Sequence, residues 1–555
     1  MSELSGYIIL NHLRRKGDET ADPQRDSSYH PTTRDSDVRS EALTVKVSGH
    51  PLTHSIHEDG SSGTVVVGLP LETTGATTAR IGYTGRGSNA PDGHFVKLVW
   101  SPTTITISTD RLGVRACYYA VQNGKAFFST DLAKICQYTG HSDINMSAFS
   151  SHWLGINQLS HECLVNGIER LSPGETVSFS AEGVKRSTYS APQSTTTGVG
   201  PSSSFLQAVI PFLQVGGFKT SLGLSGGLDS RTLLALLLQN KIDFQLHSFG
   251  SPLDGDNQLS VRIADELGIP RVVLPESIET GDSAMNLMRG FSSAHGAIAP
   301  ASAGLKLNRY KSLADSGNGI IDGGFGEIGR ARFAKRLRHP LLRSLTHVTQ
   351  LHLERAFRYD KTNPFTEPVA KRLRHEYRKT VRLVREEMLI DNREWDNVID
   401  QIMVTYRLPN FYAYGQAAID AVSVGWMPFA QPTYIDAVLA ASAESRRDSA
   451  AYKSAIQSAE MDLDSFPLAK GARLTTFDGQ VTSPKTSTNT KTSLLASVEE
   501  QVRDLVRSTA VRNYSWYDCP RLIRTVDAFY GGDESLEREV DWWLAFELWR
   551  QSLHS

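Results

Sequence analysis

The sequence predicts a chain in two parts, an antiparallel layered β domain followed by a doubly wound parallel sheet with a helical extension, so that α+β and α/β classes share one polypeptide. Three observations carry this reading. Between residues 42 and 108 short runs alternate apolar and polar residues and are separated by Gly, Asp and Pro, which is the period of half-buried strands. From residue 205 onward, strand-like runs alternate with stretches of helical spacing, the mark of a parallel sheet covered by helices. A chain of 555 residues also exceeds what one core holds and divides into about two to four domains.

Composition excludes several function classes. A net charge of −2 with 21% charged residues supplies no general attraction to nucleic acid or to a membrane surface. Cys117, Cys136, Cys163 and Cys519 are widely spaced, forming neither a C-x-x-C pair nor a dense disulfide framework, which points to a reducing compartment. The longest apolar run near the start is Ile8-Ile9-Leu10, too short for a signal peptide, and nowhere do about 18 apolar residues follow one another. A cytoplasmic protein is the expectation.

Taken in order, Lys16 to Glu41 is polar and charged with Pro23 and Pro31, and a long loop or disordered insertion is expected there. Strands are expected at Ala42 to Val47, Thr64 to Val67, His94 to Trp100 and Thr104 to Ser108. Residues 191–204, rich in Ser, Thr, Gly and Pro, read as a linker between a domain of residues 1–190 and a second of residues 205–555.

The second domain is organised around Ser225-Gly226-Gly227-Leu228-Asp229-Ser230, set between the apolar run Leu222-Gly223-Leu224 and the helical stretch that begins at Arg231. Strand, tight turn and helix in that order form a cradle for phosphate, because paired glycines let backbone N–H groups converge and the helix adds its positive end. Ser225 and Ser230 supply hydroxyl groups, and Asp229 stands where a magnesium-bound phosphate needs a carboxylate. The lysine that closes a Walker A loop is missing, so pyrophosphate fits better than a γ-phosphate held for hydrolysis.

This hexapeptide resembles the pyrophosphate loop of the adenylating N-type ATP pyrophosphatases, and its Leu-Asp-Ser ending is most similar to asparagine synthetases and their relatives. Arg231 stands where many of those relatives have a small residue, which marks a divergent branch. The resemblance implies an adenine nucleotide α-hydrolase-like second domain that binds ATP and Mg2+, with Phe249 and Gly250 at the next strand end joining the ATP site. Asp256 resembles the family's acidic residue that opens the following helix, near Asp254.

In the first domain, Asp110-Arg111-Leu112-Gly113-Val114-Arg115, Tyr118-Tyr119 and Phe127-Phe128-Ser129-Thr130-Asp131-Leu132 resemble a segment of glutaminase domains of the N-terminal-nucleophile (Ntn) hydrolase type. Asn166-Gly167-Ile168 and Leu171-Ser172-Pro173-Gly174 resemble its closing loop. That fold cleaves glutamine with a cysteine that becomes the first residue. Here Ser5-Gly6 occupies the place of the family's Cys-Gly, so no glutaminase nucleophile is assigned and the domain is expected to be inactive.

Gly319 to Arg330 contains Gly324, Gly326 and Gly329 at dinucleotide-fingerprint spacing, but no acidic residue follows about 20 residues on, and the stretch continues as a basic run through Arg330, Arg332, Lys335 and Arg336. The resemblance instead implies the family's Gly-rich loop over the adenylate, with Glu327 as catalytic residue and magnesium ligand and Asp322 as the alternative. The stretch Pro340 to Ser445 reads as helical, and its clustered basic residues read as a solvated face, since aromatics are not interleaved for base stacking. Met427-Pro428-Phe429 and Tyr434-Ile435-Asp436 resemble the segment lining the acceptor pocket. Lys470 resembles the family's active-site lysine, followed by a Thr- and Ser-rich stretch to Ser493 expected to close over the site.

Together these features imply an AMP-forming carbon–nitrogen ligase of the asparagine synthetase type, acting on a small carboxylic acid or peptide with ammonia or an amine. Aspartate is the default acceptor; β-lactam, lasso-peptide and sugar-amide synthesis stay open, as does a nucleotide-binding relic. No nucleic-acid or membrane partner is expected, and a homodimer is left open.

Overall fold

The computed structural model describes residues 3–10, 13, 28–29, 35–40, 42–82, 91–155, 157–189, 204–249, 255–274, 279–310, 313, 317–333, 349–388, 395–442, 445–470, 473–477 and 494–554. The linker expected at 191–204 therefore falls, except for Ser204, outside the described residues.

The first half is a sandwich of two sheets. Strand Leu43–Ser48 turns Leu43, Val45 and Val47 inward while their neighbours face out, the alternation of a strand with one buried face. It lies between Glu3–Ile9 and Asp35–Arg39, all antiparallel. A larger sheet built on Ser62–Thr73, Asp92–Trp100 and Thr104–Thr109 faces it. Val45, Phe128, Val67, Leu98 and Val177 from the two sheets share one apolar core, as face-to-face sheets do.

One expectation is corrected here. The polar stretch 16–41 contains strands Ser28–Tyr29 and Asp35–Arg39. An edge strand is held by main-chain pairing along one side, so Asp35–Arg39 forms with Val38 buried between the exposed Asp37 and Arg39 and shows no run of apolar alternation in its sequence.

The second half carries a five-stranded parallel sheet in the order Arg271–Leu274, Phe244–Phe249, Lys219–Gly223, Asn318–Ile321, Val424–Trp426. Its last strand interrupts the stretch read as helical. Val424, Gly425 and Trp426 are all buried, and three residues between helices are too few to display a strand period. Helix Glu367–Met388 lies in the stretch read as helical, and helices Gly255–Leu267 and Ala450–Gln457 belong to the same half.

The two halves are bonded through buried polar groups. Arg115 Nη1 donates to Asp420 Oδ2 at 3.1 Å and His94 Nε2 lies 3.1 Å from Asp420 Oδ1. The backbone N–H of Gly93 donates to Gln431 Oε1 at 2.8 Å. Helices Leu132–Thr139 and Met146–Leu154 pack into the same apolar core as the C-terminal helix Glu537–Ser552, where Trp543 and Trp549 are fully buried. Among the described residues no helix is long and apolar enough to cross a membrane.

Candidate functional site

Strand order in the parallel sheet reverses between Lys219–Gly223 and Asn318–Ile321. The chain leaves these neighbours in opposite lateral directions, which opens a crevice at their carboxyl ends where ligands bind in open α/β sheets. The loop Ser225 to Ser230 and the Gly-rich loop from Asp322 both start there.

The first loop is held by its own serines. The backbone N–H of Ser225 donates to Ser230 Oγ at 3.1 Å, the two hydroxyl oxygens are 3.0 Å apart, and Ser230 Oγ donates to the Ser225 carbonyl at 3.1 Å. Gly227 N–H donates to Ser225 Oγ at 3.3 Å. Helix Leu228–Gln239 then begins at Gly227 with no side-chain cap and with Asp229 in its first turn, at the helix's positive end. Ser225 is exposed, whereas Gly226 and Ser230 are buried and Gly227, Leu228 and Asp229 are half-buried.

The Gly-rich loop wraps Asp229. A Cβ placed on Gly326 would fall 2.5 Å from Asp229 Oδ1, and one on Gly323 would fall 2.7 Å from Asp229 Cβ, so only glycine admits this approach. Phe325 between them is buried with φ of 70°, a left-handed conformation that costs a non-glycine residue free energy. Arg330 Nη2 pairs with Asp229 Oδ2 at 2.5 Å, while Oδ1 is buried without a hydrogen-bond partner. Burial pushes Asp229 up to about 6 despite Arg330, with Glu327 adding to the rise.

Glu327 takes the Tyr412 hydroxyl at 3.2 and 3.3 Å on its two oxygens. Asp322 accepts from Gly324 N–H at 2.7 Å and is raised by burial, then by Glu327. The structure thus brings Asp229 and Glu327 into one electrostatic neighbourhood, with Asp322 close by. Among the described residues no cluster of three His, Cys, Asp or Glu side chains stands ready to hold a metal ion.

Strand Leu468–Lys470 reaches the loop Ser225 to Ser230 by main-chain contact, Ala469 N–H donating to the Gly226 carbonyl at 2.8 Å. The approach is fixed by Arg231, which is fully buried. Its Nη1 donates to the Phe466 carbonyl and its Nη2 to the Pro467 carbonyl, each at 2.8 Å. Burial without a carboxylate partner pulls this guanidinium down to about 10. The backbone bearing Lys470 is therefore brought beside the loop; the Lys470 side chain lies outside the described residues. So do Gly250, Asp254, the Asp256 side chain and residues 478–493 of the expected closing stretch. Arg473–Thr475, at the start of that stretch, pairs as a strand with Leu468–Lys470.

Phe249 ends its strand half-buried, edge-on to His247 and Tyr310. Of the segments matched to an acceptor pocket, Met427 backs Gly324, and Phe429, Tyr434 and Ile435 are fully buried. Tyr434 Oη lies 2.7 Å from Tyr452 Oη, which donates to the Gly326 carbonyl at 3.0 Å. These residues support the Gly-rich loop from beneath. Asp436 pairs with Arg111 at 2.9 Å.

In the first half, Ser5 sits mid-strand between Lys46 and Ser129 and is buried. Cys117 and Cys163 are buried, and burial pushes both thiols up to about 12. Sequence reasoning missed Arg330, Tyr412 and the function of Arg231. Arg231 alone left a signal, as a large cation immediately after the loop.

Comparisons with known proteins bear on the first half. Residues 80–190 match the family model described as a glutamine amidotransferase domain, a stretch that begins well after Ser5. No curated protein matches the chain. Among solved structures the chain is similar to the glutamine phosphoribosylpyrophosphate (PRPP) amidotransferase from B. subtilis complexed with ADP and GMP, with 11% identity and a TM-score of 0.18 over 42% of this chain and 51% of that one. The chain spans about half the length of that protein. Its first half carries a region similar to glutamine amidotransferase domains.

Proposed function

We propose that this chain is an ATP-dependent amide-forming ligase of the asparagine synthetase type. A substrate carboxylate attacks the α-phosphorus of ATP, the bond to the β-phosphate breaks and pyrophosphate leaves; ammonia or an amine then attacks the acyl carbon and AMP departs. The observation that carries this reading is the meeting, at the reversal of strand order, of an uncapped glycine-rich helix start with a second loop wrapped around Asp229. Aspartate is the default acceptor.

Magnesium suits the residues present. An ion bound mainly by phosphate oxygens and water takes only one or two carboxylates, and the buried Oδ1 of Asp229 has no other partner. Asp229 and Glu327 would hold it, and it would neutralise the pyrophosphate leaving group. The chain's own residues do the rest. Backbone N–H groups and the Ser225 hydroxyl position the phosphates, and Lys470 stabilises the charge that develops as the amide forms.

The test is carboxylate-dependent exchange of labelled pyrophosphate into ATP, screened over amino acids, β-amino acids and sugar acids. Exchange with one acid class supports the reading and names the acceptor; exchange with none, by a protein that binds ATP, supports the nucleotide-binding relic instead.

The match at residues 80–190 favours a second reading, a two-site amidotransferase that takes its nitrogen from glutamine. A buried mid-strand serine and thiols held protonated are poor nucleophiles, so ammonium is the expected donor and glutamine the unproductive one. Release of glutamate that is lost in Ser5→Ala would establish the two-site enzyme.

A further inference from the structure

Away from the candidate site, a cavity of about 350 Å³ lies where helix Met146–Leu154, the segment 359–364, helix Glu367–Met388 and helix Glu537–Ser552 meet. That volume suits a small molecule. Lys361 stands in its wall, 9% exposed, inside an aromatic cage. Its Nζ is 3.9 Å from the Trp542 ring centre, 5.3 Å from Trp153 and 5.4 Å from Tyr359. The backbone is pinned as well, since Trp153 Nε1 donates to the Lys361 carbonyl at 2.7 Å.

A buried ammonium ordinarily has a carboxylate beside it, and here the two nearby carboxylates are used elsewhere. Asp360 pairs with Arg358 and with Arg374 at 3.5 Å, and accepts from the Thr362 hydroxyl at 2.6 Å. Glu539 accepts from Asn363 Nδ2 at 2.9 Å. The Arg538 guanidinium lies 3.5 Å over the Tyr359 ring, lines the same cavity and has no ion-pair partner among the described residues.

We propose that this cavity binds a small aldehyde or ketone bearing an anionic group, with Arg538 taking the anion and Lys361 forming an imine with the carbonyl. The amine nitrogen attacks the carbonyl carbon, C=O becomes C=N, and the carbonyl oxygen leaves as water with the two amine protons; no oxidant or reductant enters. An arginine would serve simple anion binding as well as a lysine does. A desolvated lysine beside a second cation is instead the arrangement that frees an amine lone pair near neutrality. In agreement, burial and then the Arg538 charge pull the Lys361 amine down to about 7. Of the other groups facing it, His152 is held neutral by burial, Asp360 and Arg374 are ion-paired, and the Glu539 carboxylate is turned to the Asn363 amide.

The experiment treats the full-length protein with pyridoxal 5′-phosphate, reduces the adduct with borohydride and maps it by peptide mass spectrometry across pH 6 to 10. One adduct is expected, on Lys361, with a rate that levels off just above neutral pH. Arg538→Gln should lower that labelling about tenfold, the loss of one charge-assisted hydrogen bond, while the thermal midpoint holds. Benzaldehyde, which lacks the anion, should label less. Adducts spread over surface lysines, a rate still climbing through pH 10, or undiminished labelling in Arg538→Gln would each overturn the proposal. The parental pH profile needs no variant, so a misfolded mutant cannot shield it.

Discussion

The Arg231 guanidinium donates to the Pro467 carbonyl at 2.8 Å, tying the helix that follows the Ser225 to Ser230 loop to the segment that carries Lys470. The cation has only carbonyl partners, so its own desolvation offsets part of what these bonds contribute. Arg231→Met removes them and leaves the carbonyls of Phe466 and Pro467 without their donor. We expect a loss of about 1–3 kcal/mol in urea unfolding, with pyrophosphate exchange falling further than the unfolded fraction explains. Unchanged stability and exchange would show that the clasp is dispensable.

Gly326 offers a sharper test, because its substitution acts on Asp229 directly. Gly326→Ala puts a methyl group 2.5 Å from Asp229 Oδ1, and exchange should drop by about a hundredfold, as for a displaced catalytic group. Gly415, inside helix Leu408–Asp420 with open space around it, is the paired control. Gly415→Ala should raise stability by up to about 1 kcal/mol and leave exchange unchanged. Equal behaviour of the two variants would separate the loop from the chemistry.

Lys470 is expected to act after nucleotide binding. Lys470→Ala should bind ATP nearly as well as the parent and turn over about 10²–10³ times more slowly, as measured by calorimetry and single-turnover kinetics. Loss of ATP affinity with the turnover number preserved would make Lys470 a binding residue only.

Acid stability follows from buried histidines. Burial lowers His152, His161, His247 and His295 to about 3, against about 6.5 unfolded. Their contribution is therefore full above pH 6.5 and is lost as pH falls towards 3, because the unfolded chain takes up the protons first. Buried carboxyls raised in the fold, Asp131 and Asp541 to about 6 among them, act in the opposite sense, stabilising below about 4 and losing that contribution as pH rises through 6. The thermal midpoint should fall between pH 7 and 5, less steeply in His247→Asn, where the amide still reaches Ser221, whose Oγ lies 3.0 Å from His247 Nδ1. A midpoint that rises on acidification to pH 5 would contradict the histidine account.

What the sequence disclosed depends on how local each signal is. The turn at Ser225 to Ser230 was legible because its paired glycines interrupt an apolar run. The strands at 43–48 and 92–100 were legible because alternation survives burial on one face. The strand Val424–Trp426 is too short to show a period, and Asp35–Arg39 is held by backbone pairing that polar side chains do not reveal. The surroundings of Asp229 come from Arg330 and Tyr412, 101 residues and more away along the chain, and no spacing rule links such positions. Lys361 is one cation within a basic stretch of the sequence, and its aromatic cage comes from Trp153 and Trp542, far from it along the chain.

The products of ATP turnover report whether the bond between the α- and β-phosphates is the one that breaks. Turnover of ATP labelled at the α- and γ-positions, with the active carboxylic acid and ammonium present, should yield AMP and pyrophosphate, and Asp229→Ala should abolish both. ADP and inorganic phosphate as the main products, or near-normal AMP release by Asp229→Ala, would contradict the account.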